Sequence, residues 1–218
     1  MVLQAPDAGG KDGVVRHVIV SMNPQGCHVV GFKQPTPEEL THDFLWRIER
    51  QVPKPGEVVV FNRSHYEDVL IVRVHDLVPI EVWSNRYEQI NDFEKRLINN
   101  GTHILKFFLY ISKEEQLRRF KKRLEDPTKH WKISEADYKE REFWESYQEA
   151  YEDALSKCST SEAPWYVIPS DQKWFRNLAV SKIIVETMKK LDIKFPEPTV
   201  NIEDIRRKYH KAVNKGKK

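Results

Sequence analysis

Hydrophobic positions along this chain switch repeatedly between short continuous runs and a helical spacing. Residues 2–5 form a short apolar run that leads into the glycine-containing stretch 6–13, after which residues 14–22 carry apolar side chains three and four apart. That succession reads as strand, loop and helix. Residues 28–32 are a second strand-prone run. Thr36, Pro37 and Glu39 then supply an N-cap, a proline at the first helical position and a capping-box acid, for a helix whose buried stripe is Leu40, Phe44, Leu45 and Ile48. Residues 57–61 are nearly all Val and Phe, the composition of a central parallel strand covered on both faces, and they run through Asn62-Arg63-Ser64 into a helical stretch ending near His75.

The same alternation continues. Residues 86–99 are predicted helical and stop at Asn100-Gly101, before a strand over 104–111. Ser112 with Glu115 caps a helix that runs to Leu124, where Asp126-Pro127 breaks it. Ser134 with Asp137 opens one long polar and aromatic helix to Lys157. Residues 165–168 are a last strand, and Ser170 begins a helix through Leu191 with Trp174, Leu178, Ile183, Ile184 and Met188 turned inward. Strands alternating with helices predict an α/β sandwich with a parallel sheet. We expect a single domain over residues 1–198 with a mobile lid within about 118–140, centred on 127–134, and a basic tail over 199–218 that is partly disordered.

Composition narrows the setting. A chain of 218 residues with 39% hydrophobic content has enough apolar surface for one substantial core. It has no apolar run of about 18 residues, and the N-terminal stretch lacks the features of a signal peptide, so a cytoplasmic protein without a membrane partner is expected. Cys27 and Cys158 have no CxxC spacing and are expected to be free thiols. Net charge is only +3, yet basic residues cluster over 118–132 and 206–218. Such patches attract polyanions, although a solvated charged face is the commoner reason for any one of them.

The chemistry concentrates at two strand ends. After the first strand comes Ala5-Pro6-Asp7-Ala8-Gly9-Gly10-Lys11-Asp12-Gly13, with a helix directly behind it. Gly9 and Gly10 let backbone N–H groups approach phosphate, and Lys11 supplies charge to the transferring group. Against the general phosphate-loop template, Ala5 stands where the first glycine belongs and Asp12 replaces the magnesium-binding hydroxyl. Asp7 is the informative residue: a carboxylate in a phosphate-binding loop repels its ligand unless a cation lies between, so Mg2+, or Mn2+ in its place, is expected.

Asn62-Arg63-Ser64-His65-Tyr66-Glu67-Asp68 follows the Val-rich strand, at the end where open parallel sheets bind ligands. Arg63 is suited to bridge phosphate oxygens, and Glu67 or Asp68 to help hold the metal ion or orient an acceptor; the plainer reading pairs Arg63 with Glu67 as a helix-start ion pair. Arg119 and Arg123 share one face of the helix before the lid, and Arg123 is nearer to it. Arginines closing on a phosphoryl group neutralise charge and exclude water. The histidines lack metal-ligand spacing, and Trp131, Trp144, Trp165 and Trp174 are expected to be packing groups.

At these residues the chain closely resembles the polyphosphate kinase 2 family, from the phosphate loop to about Leu191. The stretches that carry the resemblance are Asp7 to Gly13, Asn23-Pro24-Gln25-Gly26, Phe61 to Glu67 and Trp174-Phe175-Arg176-Asn177. The forms NPQG and FNRSHYE resemble the subgroup that accepts nucleoside mono- and diphosphates, rather than the one with Asp in place of Asn62. The resemblance implies a three-layer P-loop kinase-like sandwich with a helical lid, transfer of the terminal phosphoryl group of inorganic polyphosphate to ADP or GDP and to AMP or GMP, and assembly as a dimer or tetramer. It implies catalytic roles for Asp7, Lys11, Arg63 and Arg123. Gly9, Gly10, Asp12, Gly13, Lys33, Asn62, Glu67, Arg73 and Arg119 are expected at the polyanion or purine nucleotide, and Asp7 and Glu67 at the metal ion. Ala5-Pro6 departs from the family's loop start, and the chain begins at the first strand where members carry a preceding helical segment.

Two other functions use the same features. An ATP-dependent nucleoside monophosphate kinase differs in its donor. A non-catalytic polyanion-binding or nucleic-acid-binding module would use the basic strips alone, but gains nothing from Asp7 in its phosphate loop.

Overall fold

Five short strands form one sheet: β1 (Val2–Gln4), β2 (Cys27–Gly31), β3 (Val58–Asn62), β4 (Lys106–Tyr110) and β5 (Trp165–Pro169). In this computed structural model, which describes residues 1–215, all strands run parallel in the order β2-β3-β1-β4-β5. Leu3 of β1 pairs with Asn62 on one side and Phe107 on the other. Strand order therefore reverses at β1, and the phosphate loop leaves the sheet where a crevice opens beyond the carboxyl ends. β1 is buried throughout and β4 everywhere but Tyr110, as suits their mostly apolar composition, with Gln4 and Lys106 as buried polar exceptions.

The helices between the strands are α1 (Lys11–His17), α2 (Trp46–Glu49), α3 (Ile71–Val74), α4 (Ile80–Trp83), α5 (Arg86–Asn99), α6 (Lys113–Leu124), α7 (Glu135–Glu142) and α8 (Trp144–Lys157), and α9 (Lys173–Lys190) follows β5. Val59, Phe61 and Phe108 of the sheet pack with Ile90 and Phe93 of α5, Tyr151 and Ala154 of α8, and Tyr66 and Val69 from the turn after β3. Phe108 and Tyr151 stack with centroids 4.3 Å apart. Chain contacts divide the molecule into two units, Met1–Ile184 and Val185–Lys218. The second unit holds the last turns of α9 and α10 (Ile202–Lys215), a helix whose Ile202, Ile205 and Tyr209 are exposed. No helix among the described residues is long and apolar enough to cross a membrane. Both cysteines are free.

Several elements differ from their sequence signals. The helix expected over 14–22 is α1 followed by a 3-10 turn at Ile19–Ser21, because the β-branched run Val18-Ile19-Val20 is a poor continuation of a helix. The capping box of Thr36 and Glu39 forms in both directions, at 2.8 and 3.2 Å. It opens only a 3-10 turn, since the Asp43 carboxylate accepts from the Leu45 N–H and starts a new turn; Leu40, expected buried, is exposed. The helix expected after β3 is a 3-10 turn (His65–Val69) and then α3. The single helix expected over 134–157 breaks at Phe143 into α7 and α8. In α9 the buried stripe is Arg176, Val180 and Ile184, while Trp174 and Leu178, expected inward, are exposed. Within the tail over 199–218, Ile202–Lys215 form α10, and residues 216–218 lie outside the described ones.

Candidate active site

The turn from β1 into α1 is built around its glycines. Gly9 donates to the Pro6 carbonyl at 3.0 Å, Ala8 holds a φ of 59° and Gly10 a φ of 113°. A Cβ on Gly10 would meet Nη1 of Arg176 at 1.9 Å, and one on Gly13 would meet Nη2 of the same arginine at 2.5 Å, so both glycines make room for a guanidinium lying on the start of α1. Gly9 is packed against Ala5, whose Cβ is 2.6 Å from where a Gly9 Cβ would stand. Lys11 donates from Nζ to the Ala5 carbonyl at 2.7 Å, and burial with the nearby Arg63 charge pulls its pKa down.

The end of β3 comes alongside. Asn62 Nδ2 donates to Oδ1 of Asp12 at 3.2 Å, and Arg63 Nη2 donates to Oδ1 of Asp7 at 3.2 Å with Glu67 4.0 Å away on Nη1. Arg63 therefore makes the within-turn pairing with Glu67 that its spacing offered, and in addition an ion pair with Asp7 across the site. It does so at a φ of 64°, a conformation an L-residue holds only where its surroundings impose it.

From the other side come α6 and the segment expected to act as a lid. Arg123 donates from Nη1 to Oδ2 of Asp137 and to the Lys132 carbonyl, both at 3.1 Å, and Lys132 Nζ lies 3.4 Å from Asp12. The result is a cavity of about 800 Å3. Its walls carry eleven Lys and Arg side chains (Lys11, Arg16, Lys33, Arg63, Arg119, Lys122, Arg123, Lys129, Lys132, Lys173, Arg176) against two carboxylates, Asp7 and Asp12. Burial and the crowding of like charges depress the pKa of two of them: Arg176 falls to about 10, with Arg119 as the charged neighbour, and Lys173 is lowered with Arg119, Lys122, Arg176 and Lys129 around it. A polyanion relieves that repulsion.

The expected residues separate into three groups. Asp7, Gly9, Gly10, Lys11, Asp12, Gly13, Lys33, Asn62, Arg63 and Arg123 line the cavity together. Arg119 reaches it too, but its N–H groups are all engaged: Nε with Glu115 at 2.8 Å, Nη1 with the carbonyls of Ala8 and Gly9, and Nη2 with those of Ser170 and Asp171. In this structure it clasps the phosphate loop. Glu67 and Arg73 do not line the cavity; Glu67 sits against Arg63, and Arg73 binds Asp153 at 2.5 Å and Tyr87 at 3.2 Å. Trp131, expected to pack, is 76% exposed. Sequence reasoning passed over Arg176 and Lys173. For Arg176 the signal was present, in the Trp174-Phe175-Arg176-Asn177 stretch, but an apolar-face reading of the helix hid it.

A phosphate loop at the switch point of a parallel sheet, faced by arginines from a second strand end and from a covering helix, defines a P-loop kinase-like phosphotransferase. The sequence profile of the polyphosphate kinase 2 family matches residues 1–196, and the chain belongs to that family. It is 53% identical over 205 residues to an AMP/ADP-polyphosphate phosphotransferase of Meiothermus ruber, covering 94% of this chain and 77% of that protein. It is 49% identical to an ADP-polyphosphate phosphotransferase of Rhodopseudomonas palustris, covering 91% of this chain and 73% of the relative. The crystal structure of polyphosphate kinase 2 from Arthrobacter aurescens superimposes with a TM-score of 0.94 at 47% identity, over 96% of this chain and 74% of the other.

Proposed function

We propose that this chain transfers the terminal phosphoryl group of inorganic polyphosphate to ADP or GDP, and to AMP or GMP, with a divalent cation. The observation that carries the reading is the cavity itself: an excess of basic side chains large enough for a polyanion, with Asp7, Lys11 and Arg63 gathered at its phosphate loop. The relatives from Meiothermus ruber and Rhodopseudomonas palustris, whose names specify AMP/ADP and ADP as acceptors, support the acceptor class.

In the reaction, an oxygen of the acceptor's terminal phosphate attacks the last phosphorus of the polyphosphate chain. The bond from that phosphorus to the bridging oxygen breaks, and the shortened polyphosphate leaves with the electron pair. Little covalent work falls to the protein, so alignment and charge neutralisation carry the rate. Lys11 and the loop amides hold the transferring group, Arg63 bridges its oxygens, and Arg123, positioned by Asp137, closes over it. Asp7 presents a carboxylate to the cavity with 27% of its side chain exposed, which suits Mg2+, an ion that takes one or two carboxylates and fills its remaining positions with phosphate oxygens and water. Bound there, the ion would screen donor from acceptor charge. The covering segment within about 118–140 acts as the lid, and the enzyme works in the cytoplasm as a homo-oligomer, dimer or tetramer.

The test is nucleotide product formation from AMP, ADP, GMP and GDP with Mg2+, offering polyphosphate or ATP as the only donor, alongside sedimentation of the active species. Polyphosphate-dependent formation of ATP or GTP is expected. Turnover only with ATP and a nucleoside monophosphate would replace this reading with that of a conventional kinase, and a monomeric active species would remove the assembly.

A further inference from the structure

Gln116, in the first half of α6, is 3% exposed, and its amide spans two parts of the site that come from distant stretches of chain. Nε2 donates to the Asp7 carbonyl at 2.9 Å. Oε1 accepts from Nη1 of Arg141 at 2.9 Å, and the same nitrogen donates to the Lys113 carbonyl at 2.7 Å. Arg141 lies in the last turn of α7, the helix that also supplies Asp137 to Arg123. A buried amide satisfied at both ends in this way has a fixed orientation, because turning it over would set donor against donor and acceptor against acceptor.

The carbonyl it holds is not an ordinary one. It belongs to the peptide between Asp7 and Ala8, and Ala8 sits at a φ of 59°. Such a residue stays there only when neighbouring groups dictate it, and the plane of that peptide also governs how the Asp7 side chain leaves the backbone. Two side chains of α6 hold the pair of peptides: Gln116 at the Asp7 carbonyl and Arg119 at the Ala8 carbonyl, 2.8 Å away. Arg119 is tied in turn to the carbonyls of Ser170 and Asp171, beyond β5, whereas Gln116 is tied to α7.

We infer that Gln116 is a positioning residue that couples the seating of α7, through Arg141, to the geometry of the phosphate loop at Asp7. With α7 seated, Arg141 fixes Oε1 and so aims Nε2 at the Asp7 carbonyl; with α7 displaced, the amide is free to turn and the Asp7–Ala8 peptide loses the hydrogen bond that α6 gives it, leaving only Arg119 on the peptide that follows. The inference rests on the proposed role of Asp7 in phosphoryl transfer. What it adds is a route by which closure of the covering segment would complete the loop at the same moment that it places Arg123.

Two variants test it. Gln116→Glu keeps the size and the acceptor for Arg141 but sets a carboxylate against the Asp7 carbonyl. Arg141→Ala releases α7 and leaves Gln116 in place. We expect Gln116→Glu to lower kcat at least tenfold while KM for polyphosphate stays within about threefold. We expect Arg141→Ala to speed amide hydrogen exchange of residues 5–12, although its hydrogen bonds go to Lys113 and Gln116 and not to the loop. The double variant should be no slower in turnover than Gln116→Glu alone. Unchanged exchange over 5–12 in Arg141→Ala, or kinetic effects that multiply, would overturn the coupling. The exchange measurement needs no substrate and does not depend on Gln116→Glu folding. An unaltered protein without polyphosphate activity would therefore refute the proposed function while leaving the coupling open to its own test.

Discussion

Arg63 and Asp7 form an ion pair, Nη2 to Oδ1 at 3.2 Å, that joins the carboxyl ends of β3 and β1 across the floor of the cavity. Burial works against the charge on Arg63, but Glu67 and Asp7 outweigh it and raise the pKa, so the guanidinium is positive at every working pH. Each partner thus neutralises the other, and under the proposed function phosphate oxygens and a cation would part them. Because the pair is partly exposed, with 39% and 27% of the side chains accessible, it contributes at most about 1 kcal/mol to the fold.

Removing either charge is therefore expected to cost catalysis and spare stability. Arg63→Ala, Asp7→Asn and Lys11→Ala should each lower turnover by roughly 10²–10³-fold, the scale seen when one preorganised donor or charge is lost from a transition-state site. The thermal midpoint should move by no more than a few degrees. Near-normal kcat in any of the three would take that residue out of the machinery, and a collapse of the midpoint would mean that the residue is structural.

A buried network beneath the same turn should show the opposite behaviour. Lys106, 0% exposed, donates to Glu94 Oε2 at 2.5 Å, to the Tyr66 hydroxyl at 3.0 Å and to the Cys158 carbonyl at 2.6 Å, and Tyr66 donates to Glu94 Oε1 at 2.8 Å. Lys106→Met leaves the Glu94 carboxylate buried without its cation, which costs about 3–5 kcal/mol. At about 2–4 °C per kcal/mol for a chain of this size, the midpoint falls by roughly 6–20 °C. Adding Glu94→Leu removes the stranded charge and should recover part of the loss; a single variant as stable as the parent would show that the pair carries no such weight.

That contrast explains why the strand end that faces the cavity stands out in the sequence and its support does not. Asp7, Lys11 and Arg63 stand out because charged residues directly after apolar strands, next to glycines, have few structural reasons to be there. His65 and Tyr66 lie in the same signature stretch, yet they are buried and anchor the turn to α5 and β4. Arg119 shares a helix face with Arg123 and lines the cavity with it, but helical spacing does not show that its N–H groups meet the carbonyls of the phosphate loop. Gln116 gave no signal, since a neutral amide becomes informative only when both its partners are known. In α9 the apolar residues occupy more than one face, and the face that packs contains Arg176, so hydrophobic periodicity alone chose wrongly.

Asp68 gives a dependence on pH that can be isolated from the other carboxylates. Burial pushes its pKa up to about 6 from an ordinary 3.8, against the pull of Arg86, whose Nη1 lies 3.0 Å away, and of Arg47, and with a further push from Glu67 and Asp43. A folded-state pKa above the unfolded one means that the fold favours the protonated acid. Its contribution is fully present below about pH 4 and is lost as pH rises through about 6. The roughly two-unit shift corresponds to about 3 kcal/mol, and with 14% of the side chain exposed little of it is screened away. Glu94 and Glu115, whose pKa values are lowered, pull stability the other way over an overlapping range, so the overall pH profile hides the effect. Comparison with Asp68→Asn, which keeps an acceptor for Arg86 and cannot ionise, exposes it. The variant should gain stability relative to the parent progressively between about pH 4 and 7, by up to about 3 kcal/mol, and the difference should then level off. Thermal or urea unfolding of both proteins across that range measures it, and an offset that does not change with pH would show that Asp68 ionises as readily in the fold as in the unfolded chain.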